Sequence, residues 1–222
     1  SNWVDQTKQK NSASDISTTG GQMARILGLG LASKLYRENP KLAYLRYFSN
    51  KGNEVVYCSI GNAATSEGVF WETVNALGVK QLPVVISIWD DGYGISVPNA
   101  IQTTKADISE ALRGMQRENG SNGVEIFKVK GWDYPALCEV YEQASKLARE
   151  EHVPCIVHVT EITQPQGHST SGSHERYKSK ERLDWELDHD CNLKMREWLL
   201  SSDIATAEEL SEIETNAKEF VR

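Results

Sequence analysis

The sequence is short of the features that announce many activities. Its four cysteines, Cys58, Cys138, Cys155 and Cys191, stand far apart with no Cys-x-x-Cys spacing, so neither a thiolate zinc site nor a dithiol redox motif is written into it. Three of them fall in apolar or amphipathic stretches, and together they read as reduced core residues of an intracellular protein. Positive charge is in deficit: 24 Lys+Arg against 31 Asp+Glu leave a formal charge of −7, which removes the basic footprint that nucleic-acid binding needs. No apolar run approaches the roughly 20 residues of a membrane span, and the polar residues 1–14 lack the apolar core of a signal peptide. A soluble protein with no nucleic-acid and no membrane partner is expected. A Walker lysine loop, a Gly-x-Gly-x-x-Gly after a strand and a nucleophile elbow are also missing, which disfavours P-loop phosphoryl transfer and serine hydrolysis. The tryptophans and tyrosines are scattered, giving no stacking platform for single-stranded nucleic acid.

What is present is enough for a core. With 222 residues, 39% hydrophobic and 25% charged, the chain suits one large or two small globular domains. The abrupt start at Ser1-Asn2 suggests an excised piece of something longer, and residues 1–16 read as a flexible lead-in. Residues 23–36 (MARILGLGLASKLY) are apolar on almost every side and predict a buried helix, with Gly28 and Gly30 allowing close approach. Short apolar runs then alternate with helical periods, the pattern of a parallel sheet with crossover helices. Strands are expected at residues 55–60, 84–89, 124–129 and 155–162. Phe70, Val74 and Leu77 mark a helix ended by Gly78, and another helix is expected over residues 108–117. Asp133 reads as an N-cap before a helix whose inner face is Leu137, Val140, Tyr141, Ala144, Leu147 and Ala148. A polar stretch, residues 163–180, is long for a structureless loop. Beyond it the chain is helical, with Thr206-x-x-Glu209 as a capping box.

Three places could carry chemistry. Asn62 and Asp91 follow two successive strands, at the edge where open parallel sheets bind ligands. Oxygen donors there suit a hard cation such as Mg²⁺, although strand-end Asn and Asp also serve as plain turn residues. Ser66-Glu67-Gly68 opens the Phe70 helix, where an N-terminus can receive a phosphate or simply be capped. His168, in the polar GHSTS run, could act as acid, base or oxyanion stabiliser or stand in solvent. His152, His158, His174 and His189 have no metal-ligand spacing among themselves and read as ordinary exposed histidines.

Taken together, the stretches TTGGQMARILGLGLASK, residues 61–98 (GNAATSEGVFWETVNALGVKQLPVVISIWDDGYGISVP) and GHSTS resemble the alpha subunit, or the alpha portion of a fused alpha/beta chain, of the thiamine-diphosphate-dependent 2-oxo acid dehydrogenases. The resemblance runs from about Thr18 to the C-terminus. It implies an α/β fold, a mostly parallel sheet flanked by helices, with residues 17–182 as the thiamine-diphosphate-binding domain and residues 183–222 as its helical C-terminal segment. It further implies thiamine diphosphate and Mg²⁺ as cofactors. Ser17, Thr19, Gly61, Ala63, Ala64, Ser66, Glu67 and Ile95 would contact the cofactor, and Asn62, Asp91 and the backbone carbonyl of Tyr93 would hold the ion. His168 would be the catalytic residue on a loop over the site, and Ser169 a candidate phosphorylation site. The implied partners are a beta subunit or fused beta portion, which supplies the glutamate that activates the aminopyrimidine, a lipoyl-bearing acyltransferase and a 2-oxo acid. The implied location is the cytoplasm, or the mitochondrial matrix in a eukaryote. The TSEG and GHSTS stretches lie nearer the branched-chain enzymes than the pyruvate ones.

This sequence departs from the family pattern at the places that matter. The family motif opens Gly-Asp-Gly and closes Asn-Asn, whereas here Asn62 and Asp91 carry one amide and one carboxylate with their positions exchanged. Asp90, next to Asp91, is expected to point the other way along an extended strand end. Gln164 stands where the resemblance places an arginine that contacts the diphosphate. Two further readings stay open: a transketolase-like or oxoglutarate-type thiamine enzyme, and a non-catalytic relative that no longer binds cofactor.

Overall fold

The computed structural model describes residues 18–168 and 173–221. Ser17 and Ser169 lie outside the described residues. Among those described, the main sheet has four strands, β1 (Val56–Gly61), β2 (Val84–Trp89), β5 (Glu125–Lys130) and β6 (Cys155–Thr160), in the order β1-β2-β6-β5. All three pairings are parallel. The two central strands, VVISIW and CIVHVT, are buried along almost their whole length, as parallel strands covered on both faces must be. Charged Glu125, Lys128 and Lys130 sit on β5, where they discourage pairing at an open edge.

Helix α2 (Gly68–Lys80) carries the chain from β1 to β2, and α5 (Tyr134–Glu151) carries it from β5 to β6. These two crossovers travel in opposite directions along the sheet, so right-handed connections place their helices on opposite faces. The side chains agree. On one face Phe70, Val74 and Leu77 of α2 and Met23 and Ile26 of α1 (Gln22–Glu38) pack against Val84, Ile86 and Ile88. On the other, Ala144 and Ala148 of α5, flanked by Leu137, Val140, Tyr141 and Leu147, pack against Val85, Val157 and Val159. The expected cap of α5 is in place, with Asp133 accepting from the Ala136 amide at 3.1 Å. Reversal of winding between β2 and β6 opens a crevice at the carboxyl ends of those strands, the usual place for a ligand in such a sheet.

After β2 come a small hairpin, β3 (Tyr93–Gly94) with β4 (Val97–Pro98), and two short helices, α3 (Asn99–Gln102) and α4 (Ile108–Ala111). The C-terminal part is helical: α6 (Lys180–Asp188), α7 (Cys191–Ser201) and α8 (Ala207–Val221). Thr206 and Glu209 close their capping box reciprocally, at 2.8 and 3.2 Å.

Several expectations need correction. Helix α1 is buried on one face only, and Leu29, Leu31 and Leu35 are exposed. Gly78 lies inside α2, beside Gly123, and the helix ends two residues later at Lys80, followed by left-handed Gln81. The expected helix over residues 108–117 is the single turn α4 followed by a 3-10 turn. Strand β6 stops at Thr160 because Glu161 takes a positive φ of 55°. Cys138 is exposed and Cys191 is half-buried, so only Cys58 and Cys155 are core residues.

The two glycines of α1 differ in kind. A Cβ on Gly30 would stand 2.7 Å from Val84 Cγ2, whereas one on Gly28 would meet nothing within 4 Å. Gly30→Ala should therefore destabilise by about 1–3 kcal/mol through overpacking, while Gly28→Ala should stabilise by up to about 1 kcal/mol through helix propensity. Denaturant titration of the two variants checks this, and equal effects would contradict the packing.

Candidate functional site

The site is built where β1, β2 and β6 end. Asn62 follows β1 and continues the ladder by donating its amide to Trp89 O at 3.0 Å. A 3-10 turn, Ala63–Ser66, then delivers the chain to α2, whose N-cap is Glu67. Thr19 belongs to the turn before α1, and a Cβ on neighbouring Gly20 would lie 3.5 Å from Glu67 Cβ. Two of the sequence-predicted segments, residues 18–21 and 61–68, therefore meet. Gly61, Ser66 and Glu67 are exposed, and Ala63 and Ala64 are half-buried.

At the end of β2 the two aspartates part. The Asp90 amide donates to Val159 O at 2.9 Å and the Asp90 carbonyl accepts from Ile162 at 3.2 Å, which clamps the residue to β6 and turns its carboxylate inward. Asp91 turns to the other side, and its Oδ1 accepts from the Tyr93 amide at 3.1 Å. Gly92, at φ +87°, allows the reversal. Ile95 caps the hairpin at φ +60° and is exposed; that conformation is costly for a β-branched residue and marks a strained turn.

A chain of hydrogen bonds stitches these loops together. Asn62 Nδ2 donates to Tyr93 O at 3.1 Å and to Asn99 Oδ1 at 2.8 Å. Asn99 Nδ2 donates to both Asp90 oxygens, at 2.9 and 3.0 Å. Asp90 Oδ2 is 2.9 Å from His158 Nε2, and His158 Nδ1 is 2.7 Å from Ser109 Oγ at the start of α4. His158 is 1% exposed, and His152 is buried too, so neither is the surface histidine expected of it. His158, Asn99 and Ser109 are the residues that sequence reasoning missed. The available signal was a lone histidine inside the apolar run CIVHVT, a polar group that a buried strand must satisfy.

The charges follow from this packing. Burial alone would push the Asp90 carboxyl up, but hydrogen bonds from His158, Asn99 and the Gly92 amide outweigh it and hold the group below its ordinary value. Asp91 behaves oppositely: burial raises it, and the Tyr93 amide and the Lys178 charge offset only part of that. The carboxylate on the open side of the loop is thus short of compensating charge.

From the far side, α6 holds the same loop. Arg182 Nη2 donates to Asp91 O at 2.8 Å, while its Nε pairs with Glu186 at 2.7 Å. Lys178 is fully buried, meets both Glu186 oxygens at 2.8 Å, and stands 5.2 Å over the Tyr93 ring. Tyr177 packs edge-on to Tyr93 at 5.6 Å, and its hydroxyl accepts from the His168 amide at 3.5 Å. Exposed His168 is thereby tied, through two rings, to the loop that carries Asp91. Gln102 Nε2 is buried without a hydrogen-bond partner among the described residues, and its amide lies against Gly94.

Comparison with known proteins agrees in outline. The model of the dehydrogenase E1 component family matches residues 3–222. The chain belongs to that family. The alpha subunit of the pyruvate dehydrogenase E1 component from Rickettsia bellii is 27% identical over 173 residues, 78% of this chain and 50% of that subunit. Subunit alpha 1 of the mitochondrial 2-oxoisovalerate dehydrogenase from Arabidopsis thaliana is 25% identical over 194 residues, 85% of this chain and 39% of that protein. This member of the E1 family therefore spans about half the length of the curated relatives it matches. A transketolase from Campylobacter jejuni overlaps at a TM-score of 0.47 and 17% identity, covering 62% of this chain and 19% of that one; the parallel sheet rests on its own hydrogen bonding. Among the described residues no helix is long and apolar enough to cross a membrane.

The polar shell gives a pH signature. Burial raises the Asp107 carboxyl, but Lys128 and the Glu110 amide together hold it below its ordinary value. A carboxylate depressed in the folded state adds stability above its unfolded pKa, and loses it as pH falls through the folded one. Asp107→Asn keeps an N-cap for α4 and loses the pair with Lys128. Its deficit against the parent, by denaturant titration, should be full at pH 7 and close as pH falls through and below the ordinary carboxylate range; an undiminished deficit in acid would contradict the assignment.

Proposed function

We propose that this chain forms the diphosphate- and Mg²⁺-binding half of a thiamine-diphosphate-dependent 2-oxo acid dehydrogenase, the decarboxylating first component. The observation that carries the reading is the convergence of Asn62, Tyr93 O and the Asp91 loop at the crevice where the sheet reverses its winding. The donor set fits the ion: an amide oxygen, a carboxylate and a backbone carbonyl are the hard oxygens Mg²⁺ prefers. Asp91, raised by burial and under-compensated, is a carboxylate that a nearby cation would satisfy.

The diphosphate would lie against the turn at Ala63–Ser66 and the start of α2, where Gly20, next to Thr19, approaches Glu67. The positive charge absent at Gln164 would be met from α6 and the residues before it, where Lys178 and Arg182 share the single carboxylate of Glu186 next to Tyr93. Ile95, held at positive φ on the hairpin tip, presents its side chain outward as an apolar support for the cofactor. When bound, thiamine diphosphate would supply a carbon nucleophile toward the keto carbon and an electron sink for loss of CO₂. His168, on the loop tied to Tyr177, assists passage of the acyl group to lipoyl. The remaining partners are a beta subunit or fused beta portion and a lipoyl-bearing acyltransferase, and the location is the cytoplasm or the mitochondrial matrix. For the acid, the TSEG and GHSTS stretches favour a branched-chain substrate, against relatives named for pyruvate; rates with 2-oxoisovalerate and pyruvate side by side decide between them.

Calorimetric titration of thiamine diphosphate into the full-length protein, or into this chain purified with its partner, should show binding that requires Mg²⁺. Asp91→Ala should weaken it at least about tenfold, the worth of one charged contact. Binding that is unchanged in Asp91→Ala would remove the ligand assignment. No binding at all would favour a non-catalytic relative. In the same protein, His168→Ala should slow reductive acylation of lipoyl far more than it weakens cofactor binding; equal acylation rates would remove that role.

A further inference from the structure

Hydrogen-bond polarity in the buried chain runs one way and starts at Asp90. Its Oδ1 accepts from the Gly92 amide at 2.8 Å and its Oδ2 lies 2.9 Å from His158 Nε2, so both oxygens act as acceptors. Asn99 lies across the two, and only its NH₂ end can face them, because its Oδ1 there would set oxygen against oxygen at 2.9 and 3.0 Å. The other end of Asn99 is therefore a carbonyl oxygen, 2.8 Å from the Asn62 side chain. Asn62 must meet it with Nδ2, which reaches Tyr93 O at 3.1 Å as well. Reversing Asn62 would place its Oδ1 against two carbonyl oxygens.

We propose that Asp90 and Asn99 are positioning residues that fix, by this relay, which atom of the Asn62 amide is turned to the open side of the loop. The atom offered there is Oδ1, and on the reading given under Proposed function it is the atom that meets the ion. The relay also links two positions that do not touch. An aspartate at 62 would face Asn99 Oδ1 and Tyr93 O with a carboxylate. Asn99 can relieve that only by turning over, which brings its Oδ1 onto Asp90. With asparagine at 90 the conflict at Asn99 is relieved: its oxygen keeps the Gly92 amide, its NH₂ donates to the reversed Asn99 and to His158 Nε2, and His158 in the other tautomer donates from Nδ1 to Ser109, leaving only Tyr93 O facing the new carboxylate. The exchange that accompanies Asn62 is thus with Asp90 as well as with Asp91, and aspartate at one end of the relay requires asparagine at the other.

The test is a double-mutant cycle in the full-length native protein, read by denaturant unfolding and by calorimetric Mg²⁺ and thiamine diphosphate titration. Asn62→Asp and Asp90→Asn should each lower the unfolding midpoint and weaken Mg²⁺-dependent binding about tenfold. The double variant should recover most of both losses, which a merely structural role for each residue does not produce. Additive losses would overturn the relay. If a single variant does not fold, folding of the double variant supports the relay and its failure overturns it. On an Asn99→Ala background, where the intervening oxygen is gone, Asn62→Asp should cost less than on the parent; an equal cost would overturn the relay. Coupling in unfolding without any Mg²⁺-dependent binding would uphold the relay and reject the proposed function.

Discussion

A buried carboxylate at the reversal point of the sheet is the constraint on which the rest of the site depends. Asp90 is 6% exposed, and an ion so placed is tolerable only when its oxygens are fully engaged. Here they are met by a strand histidine, a helix-start asparagine and a loop amide. Each partner comes from a different element, so satisfying this one group fixes β6, α3 and the loop after β2 relative to one another. Ser109 extends the same network to α4. Removing one member would leave a buried charge short of partners, a loss that commonly exceeds the net value of the bond itself.

That rigid interior contrasts with the outer side of the same loop. Asp91 and Tyr93 are held there by Arg182 and Lys178, which share the carboxylate of Glu186. The buried Lys178–Glu186 pair is best understood as a fixture for α6 and not as a large stabilising term, since desolvation offsets much of its attraction. Its value lies in position: two cations sharing one carboxylate leave positive charge beside a loop that an anionic cofactor would approach. Rigidity inside and unsatisfied charge outside is the arrangement expected of a pre-organised binding site.

The sheet was legible from sequence because buried parallel strands are continuous runs of β-branched residues, and VVISIW and CIVHVT are such runs. The placement of Asn62 and Asp91 at one edge followed from the same pattern. Less was legible where distant residues decide. His158 looked bland because its partners are 68 and 49 positions away, on a loop and on a short helix. Asn99 is 37 residues from Asn62, with no local signature to join them. The apolar character of α1 was plain, but periodicity cannot say whether Leu29, Leu31 and Leu35 face the chain's own core, and they do not. Gly78 read as a helix end because glycine often is one, whereas here it sits inside α2, packed beside Gly123.

The most direct measurement is a crystal structure of the full-length protein with Mg²⁺ and thiamine diphosphate. The account predicts the ion at about 2.1 Å from Asn62 Oδ1, an Asp91 carboxylate oxygen and Tyr93 O, with Asp90 still bound to Asn99 and His158. An ion on Asp90, or a diphosphate bound away from the start of α2, would contradict it.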